Sequence, residues 1–288
     1  MRVKTGLIIL LAVSMLLACS TVEALLSPTQ APVLKPVLAT ESGQLPGQQQ
    51  AVPERLEPAE TVQGRTETTV EEAILILEPG PGSRILSPLH VAGWADPAFE
   101  QTLLIRVLQT DGSQLMEEPV QIESGPGQRG PFAADLPFSV TEPENVLIQV
   151  LDLSARDGGI VHLASVSVIL QAEGDEVLVQ GAAADEQLQI LNPEPGETIQ
   201  GGLVLVEGYG LASFENTLVV EVYDAEGVMA GSAPCMTAAQ EPGETGYFSV
   251  EVEYNVSQEG PGRISVVDTL PVFDGIGHVA SVPVSLAP

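Results

Sequence analysis

The feature that most constrains this chain is that its later part is written twice. Residues 73–170 and 188–286 align with only small shifts. Leu77-Glu78-Pro79-Gly80-Pro81-Gly82 matches Leu191-Asn192-Pro193-Glu194-Pro195-Gly196, and Ile85 matches Ile199. Val91-Ala92-Gly93-Trp94 matches Val206-Glu207-Gly208-Tyr209, and Phe99-Glu100-Gln101-Thr102-Leu103 matches Phe214-Glu215-Asn216-Thr217-Leu218. The turn Asp111-Gly112 matches Glu226-Gly227, and Gly130-Pro131-Phe132 matches Gly246-Tyr247-Phe248. Asp157-Gly158 matches Asp274-Gly275, and His162-Leu163-Ala164-Ser165-Val166 matches His278-Val279-Ala280-Ser281-Val282. A unit repeated once in tandem predicts two homologous domains, 73–170 and 188–288, joined by a connector at 171–187.

Within each copy the hydrophobic period is two. Phe132, Ala134, Leu136, Phe138 and Val140 share one face in the first copy, and Phe248, Val250, Val252, Tyr254 and Val256 do so in the second. Leu103-Ile105-Val107 and Leu218-Val220-Val222 form a further inward set, with Arg106 and Glu221 facing out. Alternation of this kind belongs to half-buried antiparallel strands. Further strands are expected at Val146 to Leu151 and Ile264 to Val267, then at His162 to Leu170 and His278 to Leu286. Pro283 marks the last as an edge strand. Six or seven short strands per copy, separated by Gly-containing turns, predict an all-β chain of two tandem immunoglobulin-like β-sandwiches. Aromatics at 4% leave the core to aliphatic packing.

The N-terminus reads as an address. Arg2 and Lys4 precede a mostly apolar run from Leu7 to Ala18. Twelve helical residues rise only about 18 Å, too short for a hydrocarbon core of ~30 Å, so 1–18 is expected to be a secretory signal. Leu16-Leu17-Ala18-Cys19 resembles the bacterial lipobox, which implies diacylation of Cys19 and an exported chain held on the cell membrane by its lipid. The alternative is an ordinary secretory signal with an incidental cysteine. From residue 19 to 72 no period is sustained, prolines recur, and Gln48-Gln49-Gln50 and Thr66 to Thr69 are polar. That composition is expected to form a disordered tether. Only two cysteines are present, so no disulfide framework is possible, and Cys235 reads as a tolerated thiol.

The combination of Pro-x-Pro-Gly, a Gly-aromatic pair, Phe-Glu-x-Thr-Leu, Gly-x-Phe and an Asp-Gly with a later His resembles a bacterial family. It is similar to the spore-germination immunoglobulin-like domain, the second type associated with GerMN domains. The resemblance spans both copies and marks Gly93, Gly208, Phe99, Phe214, Phe132, Phe248, Asp157, Asp274, His162 and His278 as positions of the repeat. It implies an extracytoplasmic β-sandwich, often on lipoproteins, with no established catalytic residues and a link to germination or envelope assembly.

Candidate chemistry is sparse. Ten Lys and Arg against 39 Asp and Glu give a net charge of −29, which excludes a nucleic-acid partner. Gly125-Pro126-Gly127-Gln128-Arg129-Gly130 fits G-x-G-x-x-G, but Pro131 and an alternating strand follow where a helix is needed, so it reads as a turn. His90 has Val204 as its counterpart, so nothing requires an imidazole there. The acids are scattered and form no Ca²⁺ loop; no metal and no cofactor are expected. His162 and His278 each follow an Asp-Gly and begin the inward face of a strand. A structural imidazole bonded to a turn carbonyl is the favoured reading, and a hydrolase using either His is the competitor. Trp94 and Tyr209, each after a Gly, are candidate stacking rings for a sugar. The sequence thus predicts a non-catalytic, lipid-anchored binding or scaffolding module. Its partners are the membrane through Cys19 and an envelope protein or a glycan.

Overall fold

The computed structural model describes residues 70–182, 185–241 and 243–288. The signal at 1–18, Cys19 and nearly all of the expected tether lie outside the described residues. The first copy comprises β1 (Ile74–Glu78), β2 (Arg84–Ile85), β3 (Leu89–Ala95), β4 (Thr102–Gln109), β5 (Gln114–Gln121), β6 (Gly130–Leu136), β7 (Glu144–Leu153) and β8 (Ile160–Leu170). The second comprises β9 (Leu188–Asn192), β10 (Thr198–Ile199), β11 (Leu203–Gly210), β12 (Thr217–Tyr223), β13 (Met229–Met236), β14 (Gly246–Glu253), β15 (Gly260–Leu270) and β16 (Gly275–Leu286).

Each copy is a sandwich. A three-stranded sheet, β1-β3-β6 or β9-β11-β14, covers a four-stranded one, β5-β4-β7-β8 or β13-β12-β15-β16. The short β2 and β10 join β8 and β16 in parallel. The faces assigned from the alternation are the buried ones. Leu103, Ile105, Val107, Phe132 and Leu136 lie in one core, and Leu218, Val220, Val222, Phe248 and Val252 in the other. One ring centres each core, and its neighbour is a glycine for a steric reason. A Cβ on Gly93 would stand 2.0 Å from the Leu75 carbonyl oxygen and 2.8 Å from the Phe132 ring; on Gly208 it would stand 2.0 Å from the Gln189 oxygen and 2.6 Å from Phe248. Phe99 and Phe214, by contrast, sit on the surface at 59% and 47% exposure, ahead of two-residue left-handed turns at Glu100-Gln101 and Glu215-Asn216.

The two sandwiches fall in one compact unit. β8 and β16 pair antiparallel at Leu163↔Val279, which are equivalent positions of the repeat, so the larger sheets join in the order β13-β12-β15-β16-β8-β7-β4-β5. This corrects the expectation that β16 is an edge strand. Pro283 lies beyond the crossing with β8, and its carbonyl accepts from Gly196 N–H at 2.7 Å. Its ring nitrogen therefore faces away from β15, and no ladder bond is lost there. The ends of this joined sheet, β5 and β13, carry Pro119 and Pro234 at matching positions.

The outer faces of the joined sheets are also buried. β7 is buried continuously from Val146 to Leu151, and β15 from Gly262 to Asp268. Leu151 and Leu163 of the first copy share one cluster with Val267 and Val279 of the second, flanked by Ile160 and Ile276. Phe273 packs on Leu108 and Leu147. Polar pins cross the same junction. Arg263 Nη1 donates to both carboxylate oxygens of Asp157 at 3.0 and 3.1 Å, Gln149 Nε2 to Ile276 O at 2.7 Å, and Ser281 Oγ to Val161 O at 2.7 Å. The connector is stitched to the first copy rather than spanning free space: Val177 exchanges backbone bonds with Arg84, Gly80 N–H donates to Val179 O, and Gly181 N–H donates to Leu77 O.

Candidate functional site at the junction of the two copies

The two histidines singled out in the sequence meet. His162 on β8 and His278 on β16 follow the inward parity of Ala164 and Ala280, and the Leu163↔Val279 crossing carries both rings to one point. Their ring centroids are 5.4 Å apart, edge to face at 84°. The expected turn carbonyl is not their partner. Two carboxylates occupy that place, Glu72 just ahead of β1 and Glu186 just ahead of β9.

The segments bearing these glutamates pair with each other. Glu71 bridges antiparallel to Asp185, and Glu186 N–H donates to Val70 O at 2.8 Å. Each carboxylate is then held by the amide following the other: Glu72 Oε2 accepts from Gln187 N–H at 2.9 Å, and Glu186 Oε2 accepts from Ala73 N–H at 2.9 Å. Both Oε1 atoms are left turned to the imidazoles. His162 Nε2 lies 3.3 Å from Glu72 Oε1 and 3.4 Å from Glu186 Oε1; His278 Nε2 lies 3.0 and 3.7 Å from the same atoms. One ligand atom from each of the four residues lies within 4.8 Å of every other. Side-chain exposure is 6% for Glu72, 12% for His162, 9% for Glu186 and 4% for His278. Glu186 Oε1 and His278 Nε2 have no hydrogen-bond partner of good geometry.

Burial raises the pKa of the Glu72 carboxyl, yet His162, His278 and the Gln187 amide outweigh it and hold the group at about 2. Burial opposes charge on His278 as well, but Glu186 and Glu72 raise it to about 9. Two further acids stand opposite the histidines in the ladders, Asp152 across from His162 and Asp268 across from His278. Burial lifts Asp152 to about 6 against the pull of His162 and the Leu153 amide, and burial lifts Asp268 against Ser213 and His278.

The G-x-G-x-x-G match lies in the turn between β5 and β6, as its lack of a following helix implied. Gln101 Nε2 holds it through Ser124 Oγ and the carbonyls of Gly125 and Gln128. Its Arg129 reaches back to the site's edge, donating to the backbone carbonyl of Glu72 at 2.9 Å and pairing with Asp96 at 2.6 Å. Asp157 and Asp274, equivalent in sequence, part company: Asp157 is buried against Arg263, whereas Asp274 is the left-handed residue opening β16, at φ 43°. His90 pairs with Asp135 on the surface. Trp94 and Tyr209 stand outward on β3 and β11, each 43% exposed, and Tyr209 meets Tyr247 edge to face at 5.7 Å. The junction does not involve them. Cys235 is buried in the second core, and burial pushes its thiol up. Sequence reasoning missed Glu72 and Glu186. The signal was an acidic pair ahead of each copy, Glu71-Glu72 and Asp185-Glu186, just outside the aligned blocks.

The family described as the immunoglobulin-like domain of bacterial spore germination matches residues 73–159 and 187–271. Both stretches stop short of the four clustered side chains, which flank them on either side. No curated protein sequence matches the chain. Among solved structures, it is similar to the titin domains Z1Z2 in complex with telethonin, at 14% identity over 75% of this chain and 96% of that one, with a TM-score of 0.19. It is also similar to red sea bream transglutaminase, at 9% identity over 75% of this chain and 31% of that one, with a TM-score of 0.26. Scores this low support no argument about function. No helix among the described residues is long and apolar enough to cross a membrane.

Proposed function

The chain belongs to the immunoglobulin-like domain family of bacterial spore germination, and from that premise we propose that it is a non-catalytic, lipid-anchored module on the outer side of the cell membrane. In this reading Cys19 carries the lipid, the segment between Cys19 and Val70 sets the reach because Val70 to Glu72 are tied to the connector, and the paired sandwiches act as one stiff head that binds an envelope protein. The observation that carries it is the junction. Outer faces that would otherwise be solvated are buried against each other, and an apolar contact pinned by cross-junction hydrogen bonds opposes the hinge motion that tandem domains have by default.

Several features support binding over catalysis. The family's domains are generally non-catalytic. His162 and His278 are buried against two glutamates, with no hydroxyl or thiol nucleophile in the cluster, which counts against a hydrolase. Proline in β5 and β13 counts against partners that add a strand to the ends of the joined sheet, and in this reading the exposed faces of the smaller sheets are the contact surfaces. A glycan is the second reading, favoured by the equal exposure of Trp94 and Tyr209 at equivalent positions.

Metabolic labelling with a fatty-acid probe tests the anchor: label is expected on the wild-type chain and absent from Cys19→Ala. Photo-crosslinkers placed at Trp94 and Tyr209 in intact envelopes are expected to trap one discrete protein. Saturable glycan binding that vanishes in Trp94→Ala at unchanged stability would favour the second reading. Absence of both a crosslinked protein and saturable glycan binding would refute the module.

A further inference from the structure

We propose that Glu72, His162, Glu186 and His278 form a closed site for a divalent transition ion of the Zn²⁺ type, which clamps the two sandwiches together. The distances carry the argument. An ion with bonds of about 2.0–2.1 Å holds tetrahedral ligands about 3.3–3.4 Å apart. The four imidazole-to-carboxylate separations here are 3.3, 3.4, 3.0 and 3.7 Å. These four edges therefore already bracket the length that such an ion requires.

Orientation points the same way. Each carboxylate is fixed by a backbone amide on Oε2, which aims Oε1 at the centre; such outer bonds commonly orient ligand groups. Glu186 Oε1 is buried and accepts no hydrogen bond, and His278 Nε2 meets Glu72 Oε1 at 3.0 Å without hydrogen-bond alignment. An ion at the centre would complete both. Two carboxylates balance a 2+ charge with both imidazoles neutral, so the loaded site carries no net charge into a buried place. Two nitrogens and two oxygens suit Zn²⁺, whereas Ca²⁺ takes six to eight oxygens and Mg²⁺ an octahedron with waters. With all four positions filled by protein and none open, the ion would be structural.

Glu72 just ahead of β1 and His162 on β8 belong with the first copy, and Glu186 just ahead of β9 and His278 on β16 hold the equivalent places of the second. The site exists only in the docked pair. It lies outside the stretches that match the family, and it stands whether or not the chain binds an envelope protein, because it is measured without any partner.

The test uses the full chain, stripped with a chelator and titrated with ZnCl₂ by calorimetry and metal analysis. One Zn²⁺ per chain is expected, with a thermal midpoint that rises with Zn²⁺ but not with Mg²⁺ or Ca²⁺. The His162→Gln/His278→Gln variant is expected to lose affinity by about a hundredfold or more. X-ray absorption at the zinc edge of the wild-type chain gives an independent readout if that variant does not fold: four light ligands including two imidazoles support the site. Failure to bind Zn²⁺ would show the cluster to be an ion-pair network alone. Undiminished binding by a folded variant, or a zinc shell without imidazole, would equally overturn the proposal.

Discussion

The Asp157–Arg263 pair offers the sharpest test of how the sandwiches are joined. Arg263 is 5% exposed, its Nη1 bridges both oxygens of Asp157, and its guanidinium lies 4.9 Å from the Tyr223 ring centre. Asp157 also accepts from Gly159 N–H at 2.9 Å and Arg156 Nη2 at 3.0 Å. In Asp157→Ala the guanidinium stays buried without its counter-charge, and stranding one partner of a buried pair costs about 3–5 kcal/mol. The lower figure applies, because the Tyr223 ring still faces the cation. Removing both charges behaves differently. In register, Arg263 occupies the place that Leu147 holds in β7, where Phe273 covers it. Asp157→Ala/Arg263→Leu therefore recreates an apolar junction and is expected to be more stable than Asp157→Ala alone. With a denaturant slope of roughly 3 kcal/mol per molar urea, Asp157→Ala lowers the unfolding midpoint by about 1 M. The pH dependence follows from the same contacts. Burial alone would raise the Asp157 carboxyl, but the Gly159 amide, Arg263, Ser154 and Arg156 together hold it far below its usual value. A carboxyl depressed by folding contributes stability above its unfolded pKa of ~3.9 and loses it as pH falls toward the folded value. The gap between wild type and Asp157→Ala should accordingly be full near neutrality and shrink below about pH 4. A midpoint within about 0.2 M of wild type, or a gap that widens in acid, would refute the buried ionic junction.

Two further outcomes follow from packing. Gly93→Ala drives a methyl into the Leu75 carbonyl and the Phe132 ring, and overpacking against backbone is expected to cost about 3 kcal/mol or more, read as a lowered melting temperature. Phe273→Ala empties the apolar pole of the junction while leaving both sandwich cores intact. A loss of about 3 kcal/mol with faster amide exchange in β7 is expected, and unchanged exchange there would deny the contact.

Much of the fold was legible because strand burial is a local, period-two property. Phe132 and Leu136, or Phe248 and Val252, announce their inward face from a handful of neighbours. The boundaries were less exact: β6 ends at Leu136, although Phe138 and Val140 still pack on the core. Pro283 misled because proline marks an unpaired side at one residue, not along a whole strand. The site was half legible. His162 and His278 stood out as a repeated residue type, but their meeting depends on how the copies dock.

By itself, the sequence determined the number of sandwiches, their cores, their turns and the glycines that admit Phe132 and Phe248, since each is set by residues close in the chain or adjacent in a ladder. Tertiary structure alone decided that the copies lie with their larger sheets against each other and that Glu72 and Glu186 reach the imidazoles. The reason is that docking is governed by the outer faces. There Val146 to Leu151 of β7 and Gly262 to Asp268 of β15 are each an unbroken buried run within one copy, and only the other copy explains why.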